Sequence, residues 1–82
     1  MTVEVRFNGS LLAGRMRDGE YGLPEGATVA ELMEAAQTEA GHELSQEERK
    51  SCVFILDNSP ASYSSALRDG GKLRVMYRIL GG

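Results

Sequence analysis

An α+β fold, a mixed sheet of four to five strands packed on one main helix, is what this sequence predicts, and three observations predict it. At 82 residues the chain has room for a single domain and a single core. One stretch, beginning at Thr28, combines a helix-start signal with a clear helical period. Runs of strand period, or of unbroken apolar character, precede and follow it. One amphipathic helix has one apolar stripe, so it covers one face of a sheet.

The first element is "TVEVRF", Thr2 to Phe7. Val3, Val5 and Phe7 alternate with Thr2, Glu4 and Arg6, the pattern of a half-buried strand. Between Asn8 and Gly22, Asn8–Gly9 and Asp18–Gly19 both suit a two-residue hairpin turn, and only one can close the main hairpin. A long irregular connection through Arg15 leads to a second strand expected at Met16 to Leu23. Pro24 and Gly26 end it. Thr28 is then a good N-cap, and Glu31 three residues on completes a capping box. Val29, Leu32, Met33, Ala36 and Ala40 share one helical face, Glu31, Glu34 and Glu39 stay off it, and Gly41 is placed to stop the helix.

In "HELSQEERKS", Ser45 with Glu48 has the form of a second cap for one more helical turn, but a solvated connector is the preferred reading. "CVFILD", Cys52 to Asp57, is apolar without alternation, as in a central strand covered on both faces or nearly so. Asn58–Ser59–Pro60 turns the chain, "SYSSAL" is a short irregular piece (an edge strand or a single turn), and "RDGG" turns it again. "KLRVMYRI", Lys72 to Ile79, is the last strand. Leu73, Val75, Tyr77 and Ile79 face one way, and Arg74, Met76, Arg78 and Leu80 the other. With the first two strands as a hairpin and the helix as the crossover to the third, the order is ββαβ(β)β, that of a β-grasp or ubiquitin-like roll. A split ferredoxin-like sheet would need a second helix.

Composition removes several functions. One cysteine, Cys52, and one histidine, His42, exclude a disulfide within the monomer and a multi-cysteine metal or iron–sulfur site, so an iron–sulfur electron carrier is excluded and no metal is expected. A net charge of −3, from 12 acids and 9 bases, argues against nucleic acid as the main partner. No apolar run approaches the roughly 20 residues of a membrane span, and the N-terminus lacks signal-peptide character. A soluble, cytoplasmic protein in a reducing compartment is the expectation.

From Leu23 onward the residues resemble a family. "LPEGATVAELMEA" is similar to the strand-end, turn and helix-start of the small sulfur-carrier proteins, which include the small subunit of molybdopterin synthase and the sulfur carrier of thiamin biosynthesis. "ALRDGGKLRV" resembles their turn into the final strand, "FILDN" resembles them more weakly, and Gly81–Gly82 matches their terminal di-glycine. Asp69–Gly70–Gly71 stands where the family often has Asp-Gly-Asp, and "MYRIL" where the molybdopterin subunit usually has prolines.

The resemblance implies one ubiquitin-like sulfur-carrier domain over residues 1–82 with a flexible tail at 80–82. It implies a carrier that is not itself an enzyme and binds no cofactor. A partner adenylating enzyme, related to ubiquitin-activating enzymes, would use ATP to convert the Gly82 carboxylate to an acyl-adenylate. Sulfur from a donor such as a persulfide enzyme would then leave a thiocarboxylate for an acceptor synthase. Length favours the molybdopterin pathway, with thiamin or cysteine pathways open.

Gly82 is thus the candidate reacting residue and Gly81 its flexible neighbour. Glycine has no Cβ, so the backbone can approach nucleotide and enzyme closely. The four residues from Ile79 to Gly82 would reach about 13–14 Å if extended. Arg74, Met76, Arg78 and Leu80 form the candidate partner-binding face, joined by Arg6 if the last strand pairs with the first; otherwise they are the solvated side of a sheet. The same Gly82 also suits a ubiquitin-like modifier joined to target lysines, and an interaction module with an inert, fraying tail is a third reading. Cys52 reads as a small core residue, His42 as a complement to the helix end, Asp57 and Asp69 as turn residues, and Tyr63 as packing.

Overall fold

In the computed structural model, which describes residues 1–9 and 12–78, the main helix α1 (Val29–Ala40) starts where its cap dictates. The Thr28 hydroxyl accepts from the Glu31 amide at 3.4 Å, and the Glu31 carboxylate accepts from the Thr28 amide at 3.3 Å. Gly41 closes the helix in the left-handed region at φ 66°. Val29, Leu32, Met33 and Ala36 are buried as expected. Ala40 is exposed, and Gln37 is buried in its stead. Its amide donates to the Met33 carbonyl at 3.0 Å and accepts from the Leu44 amide at 2.8 Å, so the polar group enters the core satisfied.

Five strands complete the molecule: β1 (Thr2–Asn8), β2 (Gly19–Gly22), β3 (Cys52–Leu56), β4 (Ser59–Ala61) and β5 (Lys72–Tyr77). They lie in the order β2-β1-β5-β3-β4, with β1 and β5 parallel and every other neighbouring pair antiparallel. β2 and β3 therefore run the same way on opposite sides of the β1–β5 pair, which is the connection a crossover helix makes. The expected β-grasp order is present, with five strands. Val3, Val5 and Phe7 of β1, Phe54 of β3, and Leu73 and Val75 of β5 pack with α1 into one core.

Four further expectations are corrected. The second strand is the four residues Gly19–Gly22 rather than Met16 to Leu23. The chain before it forms tight turns that bury Leu12 and Met16, with the Met16 amide donating to the Leu12 carbonyl at 3.0 Å. Ser45 does start a second helix, α2 (Gln46–Lys50), closed by a capping box of 3.1 and 2.8 Å, so the connector reading gives way. α2 buries no residue, as a solvated segment should.

The turn after β3 is Asp57–Asn58, at φ 50° and 68°, and Ser59–Pro60–Ala61 is the edge strand, where a proline needs no amide hydrogen for the ladder. Finally, β3 is an interior strand between β5 and β4, as expected, but Val53 and Ile55 are only half-buried, so it is fully covered on one face rather than two.

"SYSSAL" is an irregular segment with a specific task. The Ser65 and Tyr63 carbonyls accept from the Val29 and Ala30 amides at 3.0 and 2.9 Å, two of the donors a helix start leaves unpaired. Among the described residues, no helix is long and apolar enough to cross a membrane.

Candidate functional site

The candidate site is built on β5, whose alternation divides its residues cleanly. Leu73 and Val75 point into the core at 1% and 0% exposure, while Arg74 is exposed and Met76 half-buried on the opposite face. β1 lies beside β5 with Arg6 opposite Arg74 and Asn8 opposite Met76. The expectation that Arg6 joins the face therefore holds. On the other side, Ile55 is opposite Arg74 and Val53 opposite Met76.

The end of β5 is pinned from two directions. The Arg78 amide donates to the Ser51 carbonyl at 2.8 Å, carrying antiparallel contact one residue beyond the strand. From the β1 side Gly9 closes in at φ 103°, where an added Cβ would stand 3.0 Å from Tyr77 Cβ. Tyr77 itself packs against the core. Arg78, just beyond the strand, is exposed, while Arg74 and Met76 share the outward face of β5 before it. Leu80, Gly81 and Gly82, and with them the Ile79 end of the expected strand, lie outside the described residues.

The start of β5 is a different environment. The Asp57 carboxylate accepts from Arg68 Nε and from the Lys72 amide, each at 2.9 Å, and these bonds hold its carboxyl below the usual range. Asp69 accepts from the Thr2 amide at 2.7 Å. Both aspartates thus fasten turns to strands, as their place in the sequence suggests. Among the described residues, no group of three or more His, Cys, Asp or Glu side chains is placed to hold a metal.

The remaining reactive residue types are structural. Cys52 is 8% exposed, its thiol donates to the Glu48 carbonyl at 3.4 Å, and burial pushes its pKa up. Tyr63 stacks edge-on against Phe54 at 4.7 Å and donates to the Arg49 carbonyl at 2.6 Å, with burial raising its phenol. His42 Nε2 lies 3.4 Å from an Arg15 nitrogen. Sequence reasoning missed Val53 and Ile55 as members of the open face. An unbroken apolar run hides which of its alternate residues faces out.

No family model matches the chain, and no curated protein matches it by sequence. Solved structures do. SAMP1 from Haloferax volcanii matches at a TM-score of 0.74 and 18% identity, with all of both chains covered. A chain assigned as subunit 1 of a molybdopterin converting factor from Pyrococcus furiosus matches at a TM-score of 0.69 and 26% identity, over 95% of this chain and 98% of that one. The complex of subunits 1 and 2 of the molybdopterin-converting factor from Helicobacter pylori contains a match at a TM-score of 0.57 and 23% identity, with all of both chains covered. The fold is that of a β-grasp domain, similar to SAMP1 and to molybdopterin converting factor subunit 1, in agreement with the resemblance to small sulfur carriers in the sequence from Leu23 onward.

Proposed function

We propose that the chain is a sulfur carrier for cofactor biosynthesis, of the molybdopterin type, with the Gly82 carboxylate as its reacting group. The observation that carries this reading is the likeness to molybdopterin converting factor subunit 1 at 26% identity over nearly the whole of both chains. The di-glycine, which follows Arg78 by a few residues in the sequence, supports it.

A carboxylate is a poor electrophile. On the partner activating enzyme its oxygen attacks the α-phosphate of ATP, pyrophosphate leaves, and an acyl-adenylate forms. A sulfide sulfur then attacks the carbonyl carbon and expels AMP, leaving the thiocarboxylate. A persulfide donor forms an acyl disulfide instead, and a second thiol must reduce its S–S bond to release the thiocarboxylate. The carrier's own part is to present a thin peptide to the partner's active site while the globular domain docks outside it. Arg74, Met76, Arg78 and Leu80 are its partner-binding residues, and a second subunit, as in the Helicobacter pylori complex, is its acceptor synthase.

The test is ATP–pyrophosphate exchange by the activating enzyme of the same organism. The full chain supports exchange, Gly82→Ala weakens it by about tenfold or more through the methyl beside the reacting carbon, and deletion of Gly82 abolishes it with the fold intact. Exchange that persists without Gly82 contradicts the reading.

A further inference from the structure

The open face of the sheet carries a pattern that sheet formation alone does not require. Arg6 and Arg74 are Cα partners on adjacent parallel strands, and both are exposed. Like charges directly opposite one another on neighbouring strands destabilise a sheet. Among the described residues, ion pairs join Arg17 to Glu39, Arg49 to Glu43 and Arg68 to Asp57, and Arg6, Arg74 and Arg78 take part in none. The next outward residue of β1, Glu4, is opposite Lys72 rather than either arginine.

Apolar surface adjoins this pair. The row through Arg6 and Arg74 continues to Ile55 and Pro60, and the next row, toward the end of β5, runs Asn8, Met76, Val53. On the other flank Glu4 is opposite Glu20 of β2. The face therefore changes from a row of mixed charge, Glu20, Glu4 and Lys72, through two adjacent guanidinium groups, to apolar. Such a gradient accepts a negative group in one place and repels it in another, which sets the orientation of a partner. Two planar guanidinium groups match the geometry of a carboxylate. A long polyanion would gain Lys72 on one side but meet Glu4 and Glu20 there, and would meet the apolar Val53, Ile55 and Met76 on the other.

We propose that Arg6 and Arg74 together hold an Asp or Glu carboxylate of the activating enzyme, with an apolar side chain of that enzyme seated beside it on Val53, Ile55 and Met76. This rests on the carrier reading and names the chemistry by which the carrier's partner recognises it. The carboxylate offsets the repulsion between the two arginines, so the sheet itself gains from docking.

The test is the same exchange reaction with the carrier as the varied substrate, at low and high salt, using variants matched by circular dichroism. Arg6→Glu/Arg74→Glu raises the KM for the carrier about tenfold or more and leaves kcat within about twofold, the signature of lost binding rather than lost chemistry. The wild-type KM rises with salt more steeply than that of this variant. Arg6→Lys/Arg74→Lys, which keeps the charge and loses the planar fork, gives an intermediate KM. Arg15→Glu/Lys50→Glu makes the same change in net charge off this face and leaves KM unchanged. An unchanged KM in Arg6→Glu/Arg74→Glu, with wild-type exchange intact, overturns the proposal and leaves the carrier reading standing. Absence of exchange with the wild-type chain overturns both. Displacement of the carrier from the enzyme by a short DNA duplex at comparable concentration also overturns it, in favour of phosphate binding.

Discussion

Two residues at opposite ends of β5 do much to place it, and each makes a separate prediction. Gly9 combines a positive φ with close approach to Tyr77, so a side chain there meets both backbone strain and a neighbour. Gly9→Ala is expected to destabilise the fold by about 1–3 kcal/mol, read as a lower denaturant midpoint; an unchanged midpoint would show that the β1 turn does not brace the strand end. At the other end, Asp57 is bonded by Arg68 and the Lys72 amide, and its folded pKa is lowered from 3.8. A lowered carboxylate pKa contributes stability that is fully present above the unfolded value and is lost as pH falls through the folded one. Stability should therefore decline below about pH 4, and Asp57→Asn should flatten that decline while lowering stability at neutral pH. Asparagine tolerates the φ of 50° at this position, so the turn is kept while the charge and one of the two accepted hydrogen bonds are lost. Equal acid slopes for the two proteins would remove Asp57 from the account.

The elements differ in how much of their stability is local, and that difference also decided which of them the sequence disclosed. α1 was legible because its signals are short-range: Thr28 and Glu31 cap it, Gly41 ends it, and its apolar face repeats at helical period. Thr28→Ala should cost about 0.5–1 kcal/mol, near the low end for a cap. Both capping contacts are long, and Ser65 and Tyr63 already satisfy two of the first amides. Ser45→Ala should behave differently. α2 has the shorter capping bonds but no buried residue, so the substitution speeds amide exchange within Gln46–Lys50 and barely moves the global midpoint. That absence of a buried face is also why a helix and a solvated connector could not be told apart from sequence. β4 was obscured by Pro60, which reads as a turn residue unless the strand lies at an edge. The course from Leu12 to Met16 was obscured because it follows from burial against distant elements rather than from any local period.

On the scale of the whole molecule, one side of the sheet is covered by α1 and, among the described residues, the other is left open, and the proposed function belongs to the open side and the tail. Alternation along the last strand was enough to separate Leu73 and Val75 from Arg74 and Met76, so half of the candidate face was legible from Lys72 onward. The other half needed long-range pairing: only the β1–β5 and β3–β5 registers bring Arg6, Val53 and Ile55 to the same place. The measurement that tests the central claim most directly is the intact mass of the full chain after incubation with the activating enzyme, ATP and a sulfide donor. The carrier account predicts a mass gain of one oxygen-to-sulfur exchange, located at Gly82 and absent without ATP. An unmodified chain, or a shift to higher-mass conjugates through Gly82 with no thiocarboxylate, would contradict it, the second outcome assigning the chain to protein modification.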